Sequence, residues 1–192
     1  MSEHLQFLKA FARNPAKVGA IAPSSPRLAS AMVNGLSLND EQSIVEFGPG
    51  TGPFTEAIRG VLAKHDNYIG IERDPKFIGI LRDRFPQMNF IEGSAEHAKD
   101  LHQEAGIPPV KAILCGLPFA SLPPSVQDGV IASLDHMMQP GTQFRTFQYV
   151  HAYPLPTAIR FRKQMSSLFG KFTRSRAVLR NLPPAYVLRW ER

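Results

Sequence analysis

The sequence predicts a doubly wound, Rossmann-like α/β fold with a mostly parallel sheet, preceded by N-terminal amphipathic helices. Three observations predict it. Short apolar runs rich in Val, Ile and Phe alternate with helix-length amphipathic stretches at the spacing of βαβ units. The first apolar run closes in a turn with glycine at alternate positions, Val45-Glu46-Phe47-Gly48-Pro49-Gly50-Thr51-Gly52. A chain of 192 residues with 43% hydrophobic content suits one three-layer domain and is too short for two.

The elements follow in order. Residues 3–13 read as an amphipathic helix, with Leu5, Phe7, Leu8, Phe11 and Ala12 on one side, Gln6, Lys9 and Arg13 on the other, and Asn14-Pro15 as its stop. After Val18-Gly19-Ala20-Ile21-Ala22-Pro23, a serine N-cap and Pro26 open a second helix to about residue 36. Strands are expected at 43–47, 67–71, 88–91, 110–114 and 143–150. Helices are expected between them at 53–64, 74–85, 96–104 and 123–138. A basic amphipathic helix at 157–169 then leads to two strand-like runs, 172–179 and 185–190, separated by Asn181-Leu182-Pro183-Pro184 and paired as a hairpin at the sheet edge. No repeat or low-complexity linker divides the chain, so 1–192 reads as a single domain, with N-terminal helices over 1–39 and a core over 40–192.

Composition narrows the function classes. No apolar run reaches the 18 or so residues a membrane span needs, and Lys9, Arg13, Asn14, Pro15 and Lys17 interrupt any signal-peptide pattern. A cytoplasmic protein is expected. The single cysteine, Cys115, excludes an internal disulfide framework, and the six histidines show no ligand spacing, so no metal is expected. Charge is uneven. Residues 160–192 hold nine Lys/Arg against Glu191 alone, and residues 1–39 hold four against Glu3, which leaves the middle acidic within a total of +6. Basic ends point to a polyanionic partner, either nucleic acid or an anionic membrane surface.

The glycine turn carries the chemistry. Its spacing is G-x-G-x-G with Pro53 where a dinucleotide fingerprint wants its third glycine, and no Gly-Lys-Ser/Thr follows, so nicotinamide cofactors and nucleoside triphosphates lose ground. A plain tight βα turn could use the same glycines. The functional alternative is the loop that seats S-adenosylmethionine, with Glu46 facing the methionine end and Gly48, Gly50, Thr51 and Gly52 passing beneath the nucleoside. Glu72 ends the second strand, 20 residues after Gly52, where a doubly wound fold places the carboxylate that hydrogen-bonds ribose hydroxyls; Arg73 follows it. Ser94 and Ala95, after the third strand, would border the adenine. These loops converge on the crevice at the carboxyl ends of the strands, where open α/β sheets bind ligands.

The fourth loop, Cys115-Gly116-Leu117-Pro118-Phe119, faces the acceptor. Amino-group methyltransferases carry Asn/Asp-x-Pro-aromatic there, and in those acting on adenine the Asn and a carbonyl hold the target nitrogen of a flipped base. Gly116 removes that side chain. An alkyl amine could still be oriented by the carbonyls of Gly116 and Leu117, with the Phe119 ring offered to a cationic nitrogen.

Taken with Phe7-Leu8-Lys9, the Val18 to Ser25 segment, Glu46 to Gly52, Gly116-Leu117-Pro118-Phe119 and Asn181-Leu182-Pro183-Pro184-Ala185, the chain resembles the short bacterial phospholipid N-methyltransferases over nearly its full length. Ribosomal RNA adenine dimethyltransferases are similar too, but Gly116 stands where they carry Asn, and their extra helical domain is not expected here. The resemblance implies a class I methyltransferase with a seven-stranded sheet. It implies S-adenosylmethionine as cofactor, and methylation of phosphatidylethanolamine and its mono- and dimethyl forms toward phosphatidylcholine, by direct in-line transfer. It further implies that residues 1–39 form membrane-binding and lid helices, that the segment through Ser25 closes over the cofactor, and that Cys115 lies in the cofactor site. Peripheral attachment to the inner face of the cell membrane is then expected, with phospholipid rather than nucleic acid as partner. Proton acceptors are sought among Tyr149, His151 and Tyr153, after the fifth strand. Lipid phosphate would meet Arg160, Arg162, Arg176 or Arg180. The competing expectation is an RNA or DNA adenine N6-methyltransferase.

Overall fold

In the computed structural model, residues 24–192 are described; the expected helix at 3–13 and the 18–23 segment lie outside them. The described chain runs α1 (Pro26–Val33), β1 (Ser43–Phe47), α2 (Pro53–Arg59), β2 (Tyr68–Glu72), α3 (Pro75–Arg84), β3 (Asn89–Glu92), α4 (Ala98–Ala105), β4 (Val110–Cys115), α5 (Pro124–Met137), β5 (Gln143–Tyr149), α6 (Pro156–Phe169), β6 (Thr173–Arg174) and β7 (Ala185–Glu191). The strands form one seven-stranded sheet in the order β3-β2-β1-β4-β5-β7-β6. β1 to β5 are parallel, and β7 pairs antiparallel with both β5 and β6.

Two apolar cores cover the sheet, one on each face. Val45, Phe47, Ile113 and Cys115 pack beneath α4, α5 and α6, whereas Ile44, Tyr68, Ala112 and Leu114 pack beneath α1, α2 and α3. Every residue of β1 is buried, as a parallel strand covered on both faces requires. Start signals hold at α1, where Ser25 Oγ accepts from the Leu28 N–H, and at α3, where Asp74 accepts from the Lys76 N–H. Arg145, 2% exposed on β5, donates to the carbonyls of Met32 and Asn34 and so satisfies the end of α1 packed over its face of the sheet.

Two boundaries depart from expectation. The helix after the glycine loop stops at Arg59 because Gly60 caps it, and Val61 and Leu62 then turn back onto the α1–α3 core. The first arm of the terminal hairpin pairs regularly over only two residues. Beyond it the Ser175 N–H donates to the Val187 carbonyl while the Ser175 hydroxyl accepts from the Val187 N–H, so a side chain takes one rung of the ladder.

Candidate active site

The carboxyl ends of β1, β2, β3 and β4 bring the predicted loops to one edge of the sheet. Gly48, Gly50 and Gly52 all have positive φ, at 65°, 59° and 87°, a conformation that glycine adopts without steric cost. Their roles differ, which the sequence does not reveal. A Cβ on Gly48 would lie 2.5 Å from Leu117 Cδ2, and one on Gly52 would lie 2.6 Å from Phe85 Cε2. Those two glycines admit protein. Of the three, only Gly50 has open space around it, with nothing within 4 Å of a Cβ, so bare backbone is accessible there. Thr51 keeps its carbonyl on the surface, where Arg84 donates to it.

Glu46 is fully buried in front of this loop. Its Oε2 accepts from the Tyr68 hydroxyl at 2.6 Å and the Thr55 hydroxyl at 2.8 Å, and its Oε1 has no partner among the described residues. Burial pushes its carboxyl up to about 7, against the lowering effect of the two hydroxyls. Neither hydroxyl was singled out in the sequence. The available signal was Gly70, paired with Glu46 in register: a Cβ there would lie 2.6 Å from the Tyr68 hydroxyl oxygen, so a glycine inside the strand lets the phenol cross to the acid. Glu72 accepts from the Gly50 N–H at 3.0 Å through Oε2, and from the Arg73 and Asp74 N–H groups through Oε1. Burial raises its carboxyl too, and these donors pull against it. Two acids therefore lie at the ends of adjacent strands on this edge, and Glu72 holds the N–H of the open glycine.

A protein related along nearly the full length is the ornithine lipid N-methyltransferase of Singulisphaera acidiphila, 29% identical over 188 residues, covering 96% of this chain and 94% of that protein. The ribosomal RNA small subunit methyltransferase A of Chlorobium phaeobacteroides is 31% identical over 86 residues, 45% of this chain and 30% of that protein. No family model matches. Among solved structures, the TehB-like S-adenosylmethionine-dependent methyltransferase of Corynebacterium glutamicum superposes with a TM-score of 0.64 at 10% identity, covering 98% of both chains. Aeropyrum pernix fibrillarin with natively bound S-adenosylmethionine gives 0.59 at 13% identity, over 85% of this chain and 74% of that one. The structural likenesses show the fold. This chain has the class I S-adenosylmethionine-dependent methyltransferase fold.

The residues present fit the cofactor: a bare loop open over Gly50, an orphaned buried oxygen on Glu46 and a second acid ending β2. Elsewhere the structure gives several of the expected residues protein partners. The Ser94 hydroxyl is engaged, donating to Glu96 Oε2 at 2.8 Å while capping the 3₁₀ turn at Ala95–His97, and Ala95 is buried. Cys115 is the last residue of β4 and 0% exposed, and burial pushes its thiol up, so its side chain belongs to the core. Ser25 caps α1, and its N–H donates to Asn181 Oδ1 at 2.9 Å, which joins the N-terminal segment to the distant Asn-Leu-Pro-Pro turn. Arg73 is half-buried beside Glu72.

On the acceptor side, Gly116 donates its N–H to the Phe47 carbonyl at 2.8 Å, and a Cβ there would sit 2.7 Å from the Gly48 carbonyl oxygen. Gly116 is thus fixed by backbone packing, with no room for an Asn. Leu117 fills the space beside Gly48, and Pro118 leads into the turn at Phe119–Ser121. Phe119 does not offer its face to a cation. It is 1% exposed and stacked on Phe161 at 4.1 Å, because the turn tips its ring into the α4–α6 core.

Tyr149, His151 and Tyr153 do not converge. The turn after β5 carries the chain over the sheet edge, leaving Tyr149 on the α1–α3 face, stacked with an exposed His151 at 5.7 Å, and Tyr153 on the α4–α6 face against Tyr186. The arginines divide as well. Arg160 pairs with Asp128 at 2.7 Å, and Arg162 lies 3.8 Å over the Tyr153 ring while donating to Gln148 Oε1, so both have partners. Arg176 and Arg180 are exposed, without a side-chain partner among the described residues.

Proposed function

We propose that this chain is an S-adenosylmethionine-dependent methyltransferase acting on the primary amine of a membrane aminolipid. The observation that carries the reading is the extent of similarity: it runs through 96% of the chain toward a lipid N-methyltransferase and stops at 45% toward the RNA enzyme. Gly116 supports it. An adenine amine is conjugated and needs an acceptor side chain beside it, and a Cβ at this position would collide with the Gly48 carbonyl. Ornithine lipid is the first acceptor to test because of that relative. Phosphatidylethanolamine, the acceptor implied by the sequence motifs, is the second, since it presents the same primary alkyl amine.

Glu46, Gly50 and Glu72 would hold the cofactor, which supplies an electrophilic methyl group when bound. The chain's remaining tasks are positioning and proton removal. The carbonyls near Gly116 and Leu117 orient the amine, and bringing the two reactants into line accounts for most of the rate gain. A lipid ammonium must lose its proton before it can act as a nucleophile. Of the expected acceptors, His151, exposed at the sheet edge, is assigned this role, with water as the alternative carrier. The enzyme is read as peripheral, held on an anionic leaflet by its basic ends. No helix among the described residues is long and apolar enough to cross a membrane.

The deciding experiment supplies cofactor labelled in its methyl group together with vesicles containing ornithine lipid, vesicles containing phosphatidylethanolamine, and ribosomal RNA in separate reactions. Label is expected in lipid. Label in RNA alone would overturn the proposal.

A further inference from the structure

The turn before β7 combines features that its packing does not require. Among the described residues, Leu179 and Leu182 are the most exposed large apolar side chains, at 76% and 69%. They are not carried on a loose loop. Asn181, between them, is 3% exposed; its Nδ2 donates to the Pro183 carbonyl at 2.6 Å, and its Oδ1 accepts from the Ser25 N–H at 2.9 Å. Val178 bridges to Ala185 just upstream. A buried amide therefore clamps the turn and leaves a leucine outside on each side of it. Water gives no reason to hold two leucines in that position.

Its place in the fold gives the turn a use. β7 is antiparallel, and Ala185 pairs with Tyr149, so the turn lies at the carboxyl ends of the parallel strands, on the same sheet edge as the cofactor loops. The Val150 N–H donates to the Pro184 carbonyl, which fixes it there. Leu155 and Ile159, 44% and 37% exposed, lie on the same edge where α6 begins. The charge matches: residues 171–184 contain Lys171, Arg174, Arg176 and Arg180 and no acid.

We infer that the turn Arg176 to Leu182 is a membrane-docking element. Leu179 and Leu182 enter the acyl boundary of an anionic leaflet, Arg176 and Arg180 meet its phosphates, and the catalytic edge is thereby pressed against the surface that holds the acceptor. The inference rests on the aminolipid reading. It adds a docking site built into the catalytic fold, separate from residues 1–23. An RNA backbone would use the arginines equally well, and the leucines decide for lipid, since only a bilayer interface gains from apolar tips beside cations. The buried clamp removes most of the ordering cost of binding.

The test is flotation of the full chain with phosphatidylcholine vesicles, with and without phosphatidylglycerol, alongside methyl transfer to aminolipid in vesicles and in detergent micelles. Leu179→Ser with Leu182→Ser is expected to weaken vesicle binding by about a hundredfold at any salt concentration. Arg176→Ala with Arg180→Ala is expected to weaken it by about thirtyfold, an effect that fades as salt rises. Both variants should keep the wild-type melting temperature, and the leucine variant should keep wild-type micellar activity. Unchanged flotation of the leucine variant, or RNA binding by the wild type with no vesicle binding, overturns the inference. So does a lowered melting temperature, which would mean that the chain's own residues 1–23 cover the leucines. Failure of the wild type to label any lipid in either format sinks the aminolipid reading instead.

Discussion

Glu46→Gln separates the electrostatic cost of the buried acid from its geometry. An ordinary carboxyl near 4.5 is held at about 7 here, chiefly by burial, so the ionised form of the native protein is disfavoured by on the order of 3 kcal/mol at about 1.4 kcal/mol per pH unit. Between those two pH values the native state keeps a proton that the unfolded chain has released. The native state therefore binds more protons, and stability falls as pH rises from about 4.5 to about 7, then levels off. Glutamine can still accept from Thr55 and Tyr68 through its carbonyl oxygen, and it cannot titrate. Urea unfolding at intervals from pH 4 to pH 8 should show a wild-type decline steeper than that of Glu46→Gln, the difference growing to about 3 kcal/mol across the window. Any constant offset from the new amide cancels in that comparison. Parallel pH profiles for the two proteins would refute the assignment of a buried, protonated acid. With S-adenosylhomocysteine present, the wild type should gain more stability than the variant, which has an amide where the wild type has its orphaned oxygen.

Four further substitutions test the rest of the site. Gly50→Ala should fold with a cost of about 1–2 kcal/mol for its left-handed φ and lose cofactor affinity by calorimetry, whereas Gly48→Ala should lose more stability, because Leu117 must move. Tyr68→Phe removes a hydrogen bond to the buried acid and should destabilise by about 1–3 kcal/mol; it should also move the Glu46 pH window upward, which the same urea series reads. Phe119→Ala should cost about 3–5 kcal/mol in urea unfolding without selectively raising the KM for lipid; unchanged stability with lost acceptor binding would restore its role as a face for the amine.

How much was legible depended on the range over which each feature is determined. Alternating strands and helices, the Ser25-Pro26 and Asp74-Pro75 helix starts, the glycine turn and the acids ending β1 and β2 are fixed by near neighbours along the chain, and the sequence by itself determined them. The five parallel strands belong with them, since βαβ handedness and strand spacing leave few arrangements, whereas the seven-stranded sheet was what the family resemblance implied. What only the tertiary structure decided are contacts between segments far apart in sequence. Which glycine stays open depends on Leu117 and Phe85 arriving from other loops, and what holds Glu46 depends on Tyr68 crossing above Gly70. Phe119 turns inward because Phe161 offers it a ring, and the four-residue interval from Tyr149 to Tyr153 spans both faces of the sheet because the turn between them crosses its edge. The Ser25–Asn181 link joins residues 156 positions apart. Local rules fix backbone conformation, but the surroundings of a side chain are set by whichever distant residues the fold delivers to it.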